Sequence, residues 1–289
     1  MASVKDYFSL IKFSHTVFAL PFALIGFCLG IKEVHFEFNQ FFILLAVKVL
    51  ICMIASRTAA MAFNRYIDRR FDALNPRTSV REIPKGVISA PNALLLTIAS
   101  SFVLILATYT INPMCFYLSP VALFVTLGYS YTKRFTWFCH LILGIGLALA
   151  PVGAFLAVTA HFDLASILTG ILVIFWVSGF DMLYALQDED FDKNNKLHSI
   201  PVMIGRKNTL LLSILFHVIS ILCAILIGYF IHGGMFYWIG AALFSSLLIY
   251  QHIILSPKDI SRINLAFGTL NGISSIIFAV FFLIDFLIH

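Results

Sequence analysis

Charge is what this 289-residue chain has least of: Asp, Glu, Lys and Arg together make up 11% of it, where a soluble globular domain carries about a quarter. With 61% hydrophobic residues and a mean hydropathy of +0.97, such a chain cannot hide its apolar surface from water. The scarcity of charge excludes a soluble fold and places the chain in a bilayer as an all-α integral membrane protein. Cysteine is no help to a scaffold either. The five cysteines (Cys28, Cys52, Cys115, Cys139, Cys223) are odd in number and lie inside apolar runs. No C-x-x-C spacing occurs, so neither a disulfide framework nor a thiolate metal site is expected. The N-terminus lacks a small-x-small cleavage site and its apolar run is long, so it reads as a first span and not as a signal peptide. No Arg- and Ser-rich transit segment precedes it, which favours a bacterial plasma membrane.

Apolar runs of about 20 residues, the length a helix needs to cross a bilayer, occur nine times: 13–30, 41–63, 93–111, 114–131, 137–157, 163–182, 210–231, 235–255 and 263–288. The few basic residues sort to one side of these spans. Sixteen of the nineteen Lys and Arg precede span one or follow spans two, four, six and eight; Lys32 alone faces the other side, with Lys48 and Arg57 inside span two. The positive-inside rule then puts the N-terminus and the long loops in the cytoplasm and the C-terminus outside. The net charge of +5 is a topology signal and implies no nucleic-acid partner. The external connections are only a few residues long, so function belongs on the cytoplasmic face.

Against this background two acidic stretches stand out: "NRYIDRRFD" at 64–72, directly after span two, and "DMLYALQDEDFD" at 181–192, leaving span six. If span two stays helical to Asp72, then Asn64, Asp68 and Asp72 advance only about 40° per step and line one face, with Arg57 about 20° from Asn64. Arg65 falls about 60° or more from that ladder on the same reckoning. On a continuous second helix Asp181, Asp188 and Asp192 lie within about 40° of one another, with Tyr184 adjacent and Asp190 opposite. A carboxylate ladder repels itself unless a cation neutralises it. Oxygen ligands without His or Cys suit magnesium, which takes one or two carboxylates and completes its shell with substrate phosphate. Arg77, Arg81, Lys133 and Arg134 suit the same phosphate. The combination predicts a phosphate or diphosphate held by Mg2+, with an apolar body in the bundle among some of the thirty phenylalanines. The alternative is a solvated loop with i,i+3 ion pairs, Asp68 with Arg65 or Asp72 with Arg69. A secondary transporter is a further alternative, although its charges would be expected at the midplane.

At these residues the sequence resembles the UbiA superfamily of membrane prenyltransferases, which pairs N-(D)-x-x-D-x-x-x-D with D-x-x-Y-x-x-x-D-x-x-x-D on nine helices. "IKFSHTVFALPFAL", "SRTAAMAFNRYIDRRFDALNPRT", "YSYTKRFTWFCHLILG" and "YALQDEDFD" are similar to the 4-hydroxybenzoate polyprenyltransferase branch. A sister branch, which prenylates 1,4-dihydroxy-6-naphthoate for menaquinone, is similar in the same segments. Arg65 departs from the family pattern, where Asp often stands, which removes one metal ligand.

The resemblance implies a single domain over 1–289, a UbiA-type bundle of nine transmembrane helices with a central cavity facing the cytoplasm, and Mg2+-dependent transfer of a polyprenyl group from polyprenyl diphosphate to a small aromatic acceptor. It further implies that Asn64, Asp68 and Asp72 hold one ion and Asp188 and Asp192 a second. Arg77, Arg81 and Lys133, with Lys12 a further candidate, would grip the diphosphate. Arg57 would face the acceptor carboxylate, and Asp181 with Tyr184 would line the acceptor side, Asp181 orienting the phenol or taking a proton. Tyr129 and Asn271 are candidates to complete that pocket. His15 and His140, near cytoplasmic helix ends, are placed where either could touch substrate but are read first as satisfied packing histidines, and Pro21, Pro120 and Pro151 as kinks.

Overall fold

The computed structural model describes residues 3–11, 19–34 and 40–288. Among these the only regular structure is helical, joined by loops that include one isolated β-bridge between Ser256 and Asp259. The helices are α1 (Val4–Leu10), α2 (Leu20–Val34), α3 (Gln40–Leu74), α4 (Ala90–Tyr109), α5 (Pro113–Thr132), α6 (Cys139–Thr159), α7 (Leu164–Ala185), α8 (Glu189–Asn194), α9 (Ile200–Phe230), α10 (Met235–Ile253) and α11 (Asn271–Ile288). Eight segments among the described residues are long and apolar enough to cross a membrane, as expected of an integral membrane protein. Spans two to nine of the sequence each have such a helix. Span one has α2, fifteen residues long, and the rest of that span lies outside the described residues.

Two compact units make up the chain: Met1–Thr16 with Glu37–Tyr131, and Val17–Phe36 with Thr132–His289. In the first, small residues of α3 carry the packing. Ala62 meets Ala93, Ile88, Leu10 and Ile11, and Ala55 meets Leu104 and Leu123. In the second, aromatic rings fill the core. Phe22, Trp176, Phe244 and Phe278 are each at most 1% exposed, with Phe22 and Trp176 centroids 4.9 Å apart in a tilted pair. The outward faces of α3, α4 and α9 expose Phe41, Ile43, Leu95, Phe102, Leu211 and Leu222, as lipid-facing surfaces do.

Two local features position the chemistry. Gly144 lets α6 and α7 approach closely, because a Cβ there would sit 2.5 Å from the carbonyl oxygen of Ile174. Gly205 takes φ 74° at the start of α9, a left-handed conformation that favours glycine, so the helix is kinked just before Arg206.

Candidate active site

The first acidic stretch rides on α3. At about 1.5 Å rise per residue its 35 residues exceed the roughly 30 Å hydrocarbon core, so its last turns project past the apolar layer. The continuous helix to Asp72 that the ladder requires is present. Asn64 Nδ2 donates to Asp68 Oδ2 at 2.9 Å and reaches Ser130 Oγ of α5 at 3.5 Å. Asp72 is 5% exposed. Its Oδ1 receives Arg81 Nη1 at 2.6 Å, whereas its Oδ2 is buried with no hydrogen-bond partner among the described residues.

The fold brings Arg81 back through local chemistry. Pro76 has no N–H and disfavours helix at the residue before it, so α3 stops at Leu74. Asn75 Oδ1 then accepts from the Arg77 N–H at 2.9 Å, and Thr78 Oγ1 donates to the Asp72 carbonyl at 3.1 Å. The i,i+3 alternative for Asp72 is not adopted: Arg69 donates to the Tyr66 carbonyl and lies over the Tyr66 ring, 4.5 Å from its centroid. Arg77 itself is exposed.

Arg65 overturns the sequence expectation. It is 4% exposed and within Coulombic reach of Arg81, Asp72, Tyr129 and Glu82. The physical reason is the helix period: Arg65 and Asp72 are seven residues apart, about 20° on the wheel, so they share a face. Arg57, two turns before Asn64, keeps its Nε buried without a hydrogen-bond partner among the described residues, with Tyr129 in Coulombic reach.

The second stretch is not the continuous helix expected. α7 ends at Ala185, Leu186–Asp188 form a single 3₁₀ turn, and α8 begins at Glu189. Carboxylates near the C-terminus of α7 would oppose its dipole, whereas Glu189, Asp190 and Asp192 in the first turn of a new helix favour it. The wheel-based alignment of Asp181 with Asp188 and Asp192 therefore does not describe these residues. Asp188 and Asp192 are buried and Asp190 is exposed. Asp192, 1% exposed, takes Lys133 Nζ on Oδ2 at 2.7 Å, while its Oδ1 is buried without a hydrogen-bond partner among the described residues. Burial pulls the Lys133 ammonium down, but the Asp192 carboxylate outweighs it and holds the group above the usual lysine range. The Lys133 carbonyl accepts from the His198 N–H at 2.7 Å, tying the two segments together.

Asp181 is held by His140, whose Nδ1 lies 2.7 Å from Asp181 Oδ2. His140 is thus the satisfied buried histidine expected, and its partner, Asp181, is what its place near a helix end did not reveal. Tyr184 stacks on Phe267 at 4.0 Å between centroids, the ring being presented by a π-helical turn, Leu265–Leu270. Asn271 does not offer its amide to a pocket. It is fully buried, accepting from Trp176 Nε1 at 2.9 Å and donating to the Ala266 carbonyl at 2.8 Å, which anchors that turn. Lys12 and His15 lie outside the described residues.

No group of three or more His, Cys, Asp or Glu among the described residues is placed to hold a metal alone. Each stretch instead offers a few hard oxygens, and in each a buried carboxylate oxygen, Asp72 Oδ2 or Asp192 Oδ1, has no donor. Arg81 and Lys133 already face the other oxygen of each carboxylate, so each orphan oxygen is an acceptor open to a ligand, and this donor set fits Mg2+ completed by phosphate oxygens.

A family model described as the UbiA prenyltransferase family matches residues 19–281. A relative from Francisella tularensis subsp. mediasiatica, named 4-hydroxybenzoate octaprenyltransferase, is 28% identical over 79% of this chain and 80% of its own. One from Nitrosospira multiformis with the same name is 30% identical over 77% of each. Among solved structures, the apo UbiA homologue from Aeropyrum pernix K1 superposes with a TM-score of 0.84 at 29% identity, covering 94% of this chain and 98% of that one. The UbiA homologue from Archaeoglobus fulgidus bound to GPP and Mg2+ shares the fold, with a TM-score of 0.70 at 20% identity over 97% and 99% of the two chains. A membrane chain with two Asp-rich helix ends, matched by one family model over most of its length, belongs to the UbiA prenyltransferase family and is a transferase.

Proposed function

We propose that this protein transfers a polyprenyl group from a polyprenyl diphosphate to a ring carbon of 4-hydroxybenzoate, with Mg2+ required, in quinone biosynthesis. The observation that carries the reading is the matched pair of buried, donorless carboxylate oxygens, Asp72 Oδ2 and Asp192 Oδ1, each beside a basic residue. The relatives' names support the acceptor. The bound GPP and Mg2+ of the Archaeoglobus protein support the donor and the ion. In this reading Asn64, Asp68 and Asp72 hold one Mg2+ and Asp188 and Asp192 another. Arg77, Arg81, Lys133 and Lys12 bind the diphosphate, and Arg57 pairs with the acceptor carboxylate. The bundle is a single domain with nine spans and a cavity open to the cytoplasm. It sits in a bacterial inner membrane with the N-terminus inside and the C-terminus outside.

Bound Mg2+ supplies positive charge that stabilises the departing diphosphate. The chain's own residues do the rest. The C1–O bond of the prenyl diphosphate breaks, its electron pair leaving with the diphosphate, which Arg81 and Lys133 neutralise. Aromatic faces stabilise the allylic cation by cation–π attraction. The ring carbon ortho to the phenol hydroxyl forms the new C–C bond, and the ring proton leaves to a base. Asp181 orients the phenol or accepts that proton, with Tyr184 beside it.

The test uses purified protein in nanodiscs with octaprenyl diphosphate, Mg2+ and two competing acceptors, 4-hydroxybenzoate and 1,4-dihydroxy-6-naphthoate. Products are identified by mass spectrometry. Prenylated 4-hydroxybenzoate, lost with EDTA, is expected. Prenylation of the naphthoate alone would reassign the acceptor, and no product from either would overturn the reading.

A further inference from the structure

The second unit holds a buried histidine that the reaction above does not use directly. His140 lies in the first turn of α6, 3% exposed. Its register against α7 is set by sterics: Gly144, one turn later, packs where its missing Cβ would meet Ile174 and Ser178. The Ser178 hydroxyl lies between two carbonyls, 2.6 Å from that of Ile174 on its own helix and 3.1 Å from that of His140. With those turns in contact, the His140 ring falls opposite Asp181, the next turn of α7.

Both ring nitrogens are engaged. The Ile200 N–H, one of the donors left without an intrahelical acceptor at the start of α9, points to Nε2 at 3.4 Å. A ring that accepts from Ile200 on Nε2 carries its proton on Nδ1, and Nδ1 lies 2.7 Å from Asp181 Oδ2, the distance of a donated hydrogen bond. The ring is a fixed brace between three helices. The Asp181 side chain is 23% exposed against 4% for that of His140, so the carboxylate has one braced side and one open side.

We propose that His140 is a positioning residue. By holding Oδ2 it fixes the Asp181 carboxylate so that Oδ1 faces the acceptor. This rests on the reading of Asp181 as the group that orients the phenol or takes the ring proton. His140 touches neither substrate nor ion in this account. Its contribution is to remove the rotation of χ1 and χ2 that Asp181 would otherwise have, in the way that outer partners orient ligating and catalytic groups.

Two amide substitutions separate bracing from packing. An Asn amide can reproduce the donor at the Nδ1 position, and a Gln amide reaches the Nε2 position instead. The kinetics of wild type, His140→Asn, His140→Gln and His140→Ala are measured in nanodiscs with octaprenyl diphosphate, Mg2+ and 4-hydroxybenzoate. His140→Gln and His140→Ala are expected to lose about 10- to 100-fold in kcat, with KM for the prenyl diphosphate unchanged, and His140→Asn to keep kcat within about fivefold. Combining His140→Ala with Asp181→Asn is expected to cost little more than Asp181→Asn alone, because the two act as one unit. The 15N spectrum of His140 in the wild type reads the tautomer without any turnover, and the Nδ1–H form is expected. An Nε2–H tautomer, or Asn and Gln variants of equal activity beside an active wild type, overturns the brace alone. A wild type that prenylates neither acceptor overturns the proposed function and the brace with it.

Discussion

The two acidic stretches share a D-x-x-x-D step and differ in almost everything the backbone does with it. The first stays on one unbroken 35-residue helix and places its carboxylates at a C-terminus, where the helix dipole opposes them. The second breaks α7 after Asp181, inserts a 3₁₀ turn and restarts as α8, so that Glu189, Asp190 and Asp192 sit at an N-terminus. The first compensates with a cation from the loop that follows, Arg81 on Asp72. The second takes its cation from the far side of the sequence, Lys133 on Asp192. Among the described residues, both end with one buried carboxylate oxygen that meets no hydrogen bond of good geometry. Spacing alone thus specifies ligand type and approximate placement, while charge balance at the helix end decides the backbone that presents it.

The strongest way to break this comparison is to remove a carboxylate from either side. If both stretches serve one diphosphate, Asp68→Ala and Asp192→Ala should each cost about 10³-fold or more in turnover, the scale of several kcal/mol of lost charge stabilisation. Product yield by mass spectrometry checks this, and a variant of either stretch that kept wild-type turnover would show that only the other is needed. EDTA should reproduce the loss and added Mg2+ reverse it.

The next effect concerns the two cations. Lys133→Ala leaves Asp192, 1% exposed, without its counter-ion. Because the lysine side chain is itself 35% exposed, the expected loss of stability is only roughly 1–2 kcal/mol, below the range for a fully buried pair. Arg81→Ala should destabilise less, since Asp72 lies at the end of a helix already held by its neighbours. Thermal unfolding in detergent ranks the two, and the opposite order would mean that the first stretch depends more on its cation.

Smaller still is Gly205→Ala. An alanine forced to φ 74° should cost about 1 kcal/mol and loosen the Arg206 Nε–Glu189 Oε2 pair at 2.7 Å. Hydrogen exchange over 186–194 should rise while that over 64–74 does not. At the bottom of the scale, Asp190→Ala removes an exposed carboxylate of the same cluster and should leave both turnover and melting within experimental error.

Spans two to nine, the helix running through to Asp72 and the clustering of acidic residues at span ends were legible in the sequence. The reason is that hydropathy and period are local properties. Arg65 was misplaced because only the ladder's nearer members were compared with it; its partner Asp72 is two full turns away. The break after Ala185 was missed because a continuous wheel ignores the dipole at a helix end. The partner of His140 was not legible, and Asn271 was misread, because both depend on helices distant in the chain.

By itself the sequence determined the membrane-embedded helical class, the chemistry of the donor set and the two places where it is concentrated. Those follow from composition, from run length against bilayer thickness and from residue type. Only the tertiary structure decided which base neutralises which acid, that α7 ends before Asp188 and Asp192, and that a histidine lies against Asp181. Each of those depends on which helices lie side by side. Small residues such as Gly144 and Ala62 set that contact by letting backbones approach, and neither hydropathy nor spacing records it.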